Sequence, residues 1–312
     1  MKSKKLLWID TDCGIDDSTA ILICLNSPDV EIVGISCIGG NASVDLVAHN
    51  VLRTLKVYGS ESEKKIPVYV GCQKALLTDS MHIPEIHGND GLGDIDSKSF
   101  GVEEVPPIQK ANGIFQMIET IRNHEHISVL TLGPLTNFAI ACHISPDIAS
   151  HIDELVIMGG ADDLDGNSTK FAEFNIRCDP EAAEIIFREF PQNKIILSTW
   201  SLTKRYGITG ENYDLIFGQN DYVIQRWIAQ TWKKALEHDD NVALMADPLA
   251  AFIVCYGDKA IEEDKRMKVD VPCFGDEIGA TKCVNDENGA RIVQKINFDL
   301  FINIMKNLLT FR

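Results

Sequence analysis

The sequence predicts an α/β fold, in which an open, mostly parallel sheet carries helices on both faces and a helical insertion forms a lid. Short apolar runs of strand length alternate with segments whose apolar residues have helical spacing, which is typical of βα units. Several of these runs end in glycine and polar residues, as strands do where their carboxyl ends line a ligand crevice. The 312 residues, 45% of them hydrophobic, are expected to form one domain over 1–312.

The predicted elements follow one another along the chain without a linker or repeat. Aliphatic runs predict strands at 5–10, 30–38, 66–71, 127–133, 152–160 and 193–199. Helical spacing predicts helices at 16–26, 43–58, 108–123, 135–143 and 180–189. Two long segments break this rhythm: 72–107 is rich in glycine, proline and histidine, and 200–245 is rich in tyrosine and tryptophan. We interpret the first as a long loop and the second as a helical excursion, and predict that both act as lids.

The charge of the chain narrows the classes of partner. Lys and Arg number 29 against 46 Asp and Glu, so the net charge is −17. This charge repels polyphosphates and anionic membrane surfaces, and we therefore expect neither nucleic acid nor membrane as a partner. No apolar run reaches the roughly 18 residues of a membrane span. The nine cysteines form no C-x-x-C pair and lie mostly in apolar segments, which favours reduced thiols and a cytoplasmic location.

An acidic cluster follows the first predicted strand. The segment 10–17 reads DTDCGIDD and places four carboxylates at a strand-to-helix turn. Like charges this close are costly when buried, and a bound divalent cation removes that cost. Oxygen ligands without a neighbouring His or Cys pair favour Ca²⁺ or Mg²⁺ over zinc. The alternative is that Asp16 and Asp17 only cap the following helix, whose dipole stabilises acidic residues.

With this segment the sequence resembles the nucleoside hydrolases, whose hallmark is an N-terminal D-x-D-x-G-x-D-D motif. The likeness covers nearly the whole chain and several motifs in the order of that family. They are Gly40-Asn41, HGNDGLGD at 87–94, LGPLTN at 132–137, VIMGG at 156–160, Gly166-Asn167, AEFN at 172–175, DPEAA at 179–183 and ADP at 246–248. Cys13, where many members have proline, resembles the subgroup with cysteine in this motif. We expect Cys13 to pack rather than to act as a nucleophile, because no obvious histidine activates it.

The resemblance implies a set of site residues. A calcium ion would be held by Asp12, Asp17, the carbonyl of Leu132 and Asp247. The implied ribose contacts are Asp16, Asn41, Met158, Asn167, Glu173 and Asn175, with His87 near the base. Hydrolysis of an N-glycosidic bond passes through an oxocarbenium-like state, and Asp12 is expected to take the proton of the attacking water.

One position departs from the family pattern. Many purine-cleaving members carry a histidine immediately before the late aspartate, and here that position is Ala246, which cannot protonate a leaving base. A residue from a predicted lid is expected to help the base leave instead, with His87 and Trp232 as the preferred candidates. The other candidates are His82, Arg226, Trp227 and His238.

Two other function classes remain open on the sequence alone. Asp10-x-Asp12 after a first strand also fits a haloacid-dehalogenase-like phosphatase that uses Mg²⁺, although Cys13-Gly14 departs from that pattern. The second alternative is a protein that binds nucleosides without hydrolysing them. A homodimer or homotetramer is the expected assembly, because homo-oligomers are usual in the resembled family.

Overall fold

The computed structural model describes residues 3–59, 65–79, 81–218, 222–239 and 241–310. Its sheet has nine strands in the order β3-β2-β1-β4-β5-β6-β9-β7-β8. The strands are β1 (Lys5–Thr11), β2 (Val30–Cys37), β3 (Val68–Val70), β4 (Ile127–Thr131), β5 (Ile152–Met158), β6 (Ile195–Ser198), β7 (Ile261–Asp270), β8 (Lys282–Asn285) and β9 (Ala290–Ile296). The first six confirm the six predicted strands. The structure therefore confirms the α/β class and the open, mostly parallel sheet.

The order of the strands reverses between β1 and β4. From β1 the chain builds outward through β2 to β3, then returns to place β4 on the other side of β1. Strands β1 to β6 and β9 pair in parallel, whereas β7 pairs antiparallel with β9 and β8. In open α/β sheets such a reversal opens a crevice at the carboxyl ends of the two central strands. Residues 10–17 and 132 lie at this point.

Helices cover the sheet on both faces. They are α1 (Ile15–Asn26), α2 (Val44–Tyr58), α3 (Pro84–His87), α4 (Gly113–Arg122), α5 (Thr136–Ile144), α6 (Ile148–His151), α7 (Phe174–Cys178), α8 (Pro180–Glu189), α9 (Trp200–Arg205), α10 (Gly210–Phe217), α11 (Val223–His238), α12 (Ala246–Tyr256) and α13 (Phe298–Leu309). One buried core contains α1, α2, α11, α12 and α13, and a second contains α4, α5 and α8. These two cores are the two helical layers that the βα alternation predicts.

One predicted helix begins later than expected. The spacing predicts a helix over 108–123, but α4 begins at Gly113 because the side chain of Asn112 accepts a hydrogen bond from the Ile114 backbone N–H at 2.9 Å. This contact is a typical N-cap, and it fixes where the helix can start. Gln109, which the prediction placed in this helix, instead forms an isolated β-bridge with Tyr69 of β3.

The described part of the second irregular segment, 200–245, contains three helices, which agrees with the predicted helical excursion. The longest, α11, is fixed to α1 by two indole groups: Trp227 Nε1 donates to Ser18 Oγ at 2.9 Å, and Trp232 Nε1 donates to Thr19 Oγ1 at 3.0 Å. Residues 219–221 and 240 of this segment, and Ser80 of the other, lie outside the described residues. Within the described ranges, no helix combines the length and hydrophobicity that crossing a membrane requires.

Candidate functional site

The acidic turn lies at the point where the strand order reverses. Asp10 is in β1, Asp12 follows that strand, and Asp16 and Asp17 occupy the first turn of α1. The backbone N–H of Leu132, just beyond β4, donates to the Asp10 carbonyl at 2.8 Å. Helix α12 contributes Asp247 from its own first turn. One strand end and two helix N-termini therefore bring the carboxylates together from distant parts of the sequence, and the end of β4 lies beside them.

Three of these carboxylates form a cluster of cation-binding size. Asp16, Asp17 and Asp247 each offer an oxygen, and these oxygens lie within 4.8 Å of one another. That separation is about twice a Ca²⁺–oxygen distance of 2.3–2.6 Å, so one ion can contact all three. Asp17 and Asp247 are buried, whereas Asp16 is partly exposed to the cleft above them.

Burial and mutual repulsion raise the pKa values of the carboxylates at this turn. Burial, followed by the charge of Asp17, raises the pKa of Asp12 well above its usual range. The same two causes raise the pKa of Asp16 to about 7. The pKa of Asp247 is raised well above its usual range, first by burial and then by the charges of Asp16 and Asp17. A bound cation would remove this repulsion, because it stabilises the charged carboxylates.

Several carboxylate oxygens are buried and lack a partner. Among the described residues, none forms a hydrogen bond to Asp10 Oδ2, Asp12 Oδ1 or Asp16 Oδ1. The other oxygen of Asp12 accepts from the Asn41 backbone N–H at 2.8 Å, which fixes the direction of the carboxylate. Asp17 accepts from Thr11 Oγ1 at 2.5 Å. The free oxygens and the all-oxygen donor set fit a hard cation such as Ca²⁺ or Mg²⁺.

Two glycines allow the backbone to approach Asp12 closely. A Cβ atom on Gly40 would lie 2.1 Å from Asp12 Oδ2, and one on Gly133 would lie 2.8 Å from Asp12 Oδ1. Both positions therefore exclude a side chain as long as Asp12 keeps this orientation. The carbonyl of Leu132 accepts from Asn175 Nδ2 at 2.7 Å. A carbonyl oxygen has two lone pairs, so this bond leaves one for another partner.

Amide and carboxylate groups form the polar half of the cleft beside the cluster. Glu173 caps α7: its carboxylate accepts from the backbone N–H groups of Asn175 at 2.8 Å, Gly160 at 2.9 Å and Ile176 at 3.1 Å. Asn167 Oδ1 accepts from the Phe174 backbone N–H at 2.8 Å. These bonds fix the loop that carries the three predicted ribose contacts 167, 173 and 175.

His87 is buried and neutral. Its Nδ1 accepts from the Ile15 backbone N–H at 3.3 Å, which leaves the hydrogen on Nε2. Burial lowers the pKa of His87 to about 4. His87 can therefore donate a hydrogen bond to a ligand near neutral pH, but it is a poor source of an imidazolium proton.

The cleft itself has a volume of about 640 Å³, including space open to solvent, which suits a small molecule. Asp12 and Asp17 lie buried beneath it. The predicted residues that line it are Asp16, Asn41, His87, Leu132, Met158, Asn167, Glu173, Asn175, Trp232 and Asp247, together with Ala246. Sequence reasoning missed the lining residues Ile15, Ile83, Ile86, Phe174, Trp200, Ala235, Asp239 and Leu244. The position of Trp200, just after β6, was the one available signal, because ligands collect at such strand ends.

The remaining candidates lie away from the cleft lining. Trp227 is fully buried against Phe100. His82 Nδ1 contacts the Gly40 carbonyl at 2.7 Å, and Arg226 and His238 are exposed. Cys13 is fully buried, and burial raises the pKa of its thiol well above the usual range, which agrees with the expected packing role.

Comparisons with known proteins agree with this architecture. A sequence model of the inosine-uridine preferring nucleoside hydrolase family matches residues 7–303. Probable uridine nucleosidase 2 of Arabidopsis thaliana is 39% identical over 186 residues, which are 59% of this chain and 56% of that protein. The inosine-uridine preferring nucleoside hydrolase of Crithidia fasciculata is 34% identical over 187 residues, or 59% of this chain and 57% of that protein. The match thus spans little more than half the length of these curated relatives.

Solved structures extend the likeness over the whole fold. The plant nucleoside hydrolase PpNRh1 superimposes with a TM-score of 0.87 at 25% identity, covering 98% of this chain and 99% of that one. An inosine-guanosine nucleoside hydrolase superimposes with a TM-score of 0.86 at 24% identity, covering 98% of both chains, and supports the fold alone. Since the family model spans nearly the whole chain and the fold agrees with it, the chain belongs to the inosine-uridine preferring nucleoside hydrolase family.

Proposed function

We propose that this protein hydrolyses the N-glycosidic bond of ribonucleosides and releases ribose and a free purine or pyrimidine base for salvage. The observation that carries the proposal is the construction of the cleft. One half joins a buried carboxylate cluster to amide groups, and the other half is lined by aliphatic and indole side chains. A ribose has hydroxyl groups that suit the first half, and a nucleobase has the flat apolar faces that suit the second.

Calcium is the proposed cofactor, held by Asp12, Asp17, Asp247 and the carbonyl of Leu132. When bound, it supplies a positive charge that lowers the pKa of a coordinated water and stabilises the carboxylates. The unpartnered Asp12 Oδ1 and the free lone pair of the Leu132 carbonyl support this set. Asp16 belongs to the same cluster but is open to the cleft, which supports its assignment to the ribose hydroxyls.

Asp12 is the proposed general base. The Asn41 backbone N–H holds one carboxylate oxygen and leaves Oδ1 free to accept a proton from the attacking water. The neighbouring carboxylates would stabilise the positive charge that develops on the sugar.

The ribose is proposed to bind to Asp16, Asn41, Asn167, Glu173 and Asn175, with Met158 against the sugar ring. Hydrogen bonds already fix the side chains of the three asparagines and of Glu173, which reduces the conformational entropy lost on binding. His87 and Trp232 are the proposed residues that help the base to leave, and both line the same cleft. His87 would act through its Nε2–H as a hydrogen-bond donor rather than through a charged imidazolium.

The test is ribose release from a panel of purine and pyrimidine ribonucleosides, assayed with added Ca²⁺ and with a chelator. We expect release with Ca²⁺ and loss of it with the chelator. Binding of nucleosides without ribose release would contradict the proposal and favour a non-catalytic binder. Hydrolysis of a phosphate monoester in its place would favour the phosphatase alternative, which the family assignment disfavours.

Assembly and location complete the proposal. We expect a homodimer or homotetramer, which sedimentation measurements would distinguish from a monomer. All nine cysteines are free thiols in the structure, in keeping with a cytoplasmic location.

A further inference from the structure

The apolar half of the cleft contains one carboxylate that the proposed mechanism does not use. Of the described carboxylates that line the cleft, Asp16, Glu173 and Asp247 belong to the polar half, and the fourth is Asp239. It lies at the C-terminal end of α11, where its backbone N–H donates to the Ala235 carbonyl at 2.9 Å. Asp239 therefore brings a negative charge to the end of the cleft that is otherwise suited to the nucleobase.

The position of Asp239 on the helix explains why it faces the cleft. Trp232, Ala235 and Asp239 are three and four residues apart, so they share one face of α11, and all three line the cleft. The same helix packs against α3, which contributes Ile86 and His87 to the cleft. Asp239 thus lies on the same wall of the cleft, about two helical turns beyond Trp232 and one beyond Ala235.

The carboxylate of Asp239 is oriented but not saturated. His238 Nδ1 contacts Asp239 Oδ1 at 2.8 Å. Among the described residues, no hydrogen bond to Oδ2 is seen. A carboxylate is an acceptor only, so a ligand at this end of the cleft must present an N–H or O–H group to it. A ligand that presented a lone pair there would meet repulsion, and the carboxylate would lose water without compensation.

We infer that Asp239 determines base specificity by accepting a hydrogen bond from the ring N1–H of a 6-oxopurine. This inference rests on the proposed function, since it concerns the base half of the same cleft. In inosine N1 carries a hydrogen, whereas in adenosine N1 is an acceptor beside the 6-amino group. Asp239 therefore favours inosine over adenosine. Guanosine adds a 2-amino donor next to N1–H and can contact both carboxylate oxygens.

The experiment compares kcat/KM for inosine and adenosine in the wild type and in Asp239→Asn. An amide offers both a donor and an acceptor, which matches N1 and the 6-amino group of adenosine. We expect the inosine-to-adenosine ratio of kcat/KM to fall at least about tenfold, because a site built to accept a hydrogen bond rejects a base that lacks the donor. The matched control is Glu237→Gln, which removes the same charge from an exposed position outside the cleft lining. Its ratio should equal that of the wild type.

The outcomes separate this inference from the proposed function. If the wild type hydrolyses both nucleosides and Asp239→Asn leaves their ratio unchanged, the inference fails while the proposed function stands. An equal fall for both nucleosides would also overturn the inference, because it would indicate a structural role. Equal changes in Asp239→Asn and Glu237→Gln would assign the effect to net charge and overturn it as well. If the wild type releases no ribose from any nucleoside, the proposed function itself has failed.

Discussion

At the scale of single residues, Asp12 combines complete burial, one fixed oxygen and one free oxygen. In Asp12→Asn the amide oxygen can still accept from the Asn41 backbone N–H. The proposed general base is lost, however, and so is the negative charge that Asp12 would bring to the bound cation. We expect kcat to fall by about 10³-fold, within the range for general-base catalysis. Circular dichroism should show an unchanged fold, and the melting temperature in chelator should not fall, because a repelling charge is removed.

The control for Asp12→Asn is Asp29→Asn. Asp29 is exposed and lies at the opposite end of β2 from the cleft, so we expect this variant to have wild-type turnover. Wild-type kcat in Asp12→Asn loaded with calcium would show that another group accepts the proton.

His87 allows a second test, because its role depends on the leaving group. As a neutral donor it should matter for a purine, which leaves better with a hydrogen bond, and much less for the p-nitrophenolate of p-nitrophenyl riboside. We expect His87→Ala to slow inosine hydrolysis about 10- to 100-fold and p-nitrophenyl riboside hydrolysis clearly less. Equal slowing of both substrates would remove His87 from leaving-group activation. Trp232→Ala, compared on the same two substrates, tests the other candidate.

At the scale of secondary-structure elements, the short helix α7 depends on its N-cap. The two carboxylate oxygens of Glu173 accept from three backbone N–H groups, and burial raises the pKa of Glu173 while these bonds lower it. Glu173→Gln replaces one acceptor by an NH₂ group that faces backbone donors. We expect a loss of about 1–2 kcal/mol in the free energy of unfolding, together with a higher KM and a lower kcat. Chemical denaturation and steady-state kinetics would measure both effects.

A matched control for Glu173→Gln is Glu211→Gln, which changes an exposed glutamate in the first turn of α10. Its stability and kinetics should match the wild type. Unchanged KM and kcat in Glu173→Gln would contradict the proposed contact between Glu173 and the ribose, whether or not the variant is less stable.

The elements also show which parts of the fold can be predicted from sequence. Strands β1, β4 and β6 are aliphatic and buried on both faces, so their sequences stand out. Strands β7 to β9 were missed. Strand β7 reads IEEDKRMKVD and is largely exposed near the edge of the sheet, so it has neither an apolar run nor a clear alternation. Its pairing with β9 is a tertiary contact that no local pattern reports.

The same distinction applies to the site. Asp16 and Asp17 of the cluster share one short motif with Asp12, so most of the acidic turn could be predicted from the sequence, whereas Asp247 joins it only through the fold. Asp239 follows a helix of ordinary composition, and only the packing of α11 against α1 and α3 brings it to the cleft. Trp227 and Trp232 show the limit of composition: both are buried on α11, but of the two only Trp232 also lines the cleft.

At the scale of the whole molecule, the carboxylates at the strand reversal make stability depend on pH. The pKa of Asp10 and that of Asp16 are raised to about 7, chiefly by burial, and those of Asp12 and Asp247 are also raised. A raised carboxyl pKa means that the folded protein binds more protons than the unfolded chain. The contribution of these groups to the stability of the metal-free protein is therefore fully present below about pH 4. It is lost as the pH rises toward 7 and above.

Calcium binding has the opposite dependence on pH, because it needs the charged carboxylates. The melting temperature with calcium minus that with chelator should therefore be small at pH 5 and grow toward pH 8. At a calcium concentration of a hundred times Kd, the stabilisation should reach about 2.7 kcal/mol. Taking the difference removes the contribution of surface carboxylates, which titrate alike in both samples. Differential scanning calorimetry at several pH values would measure this difference in melting temperature.

In Asp247→Asn the difference should depend less on pH than in the wild type. A wild-type difference that stays constant from pH 5 to pH 8 would show that the cation binds away from this cluster.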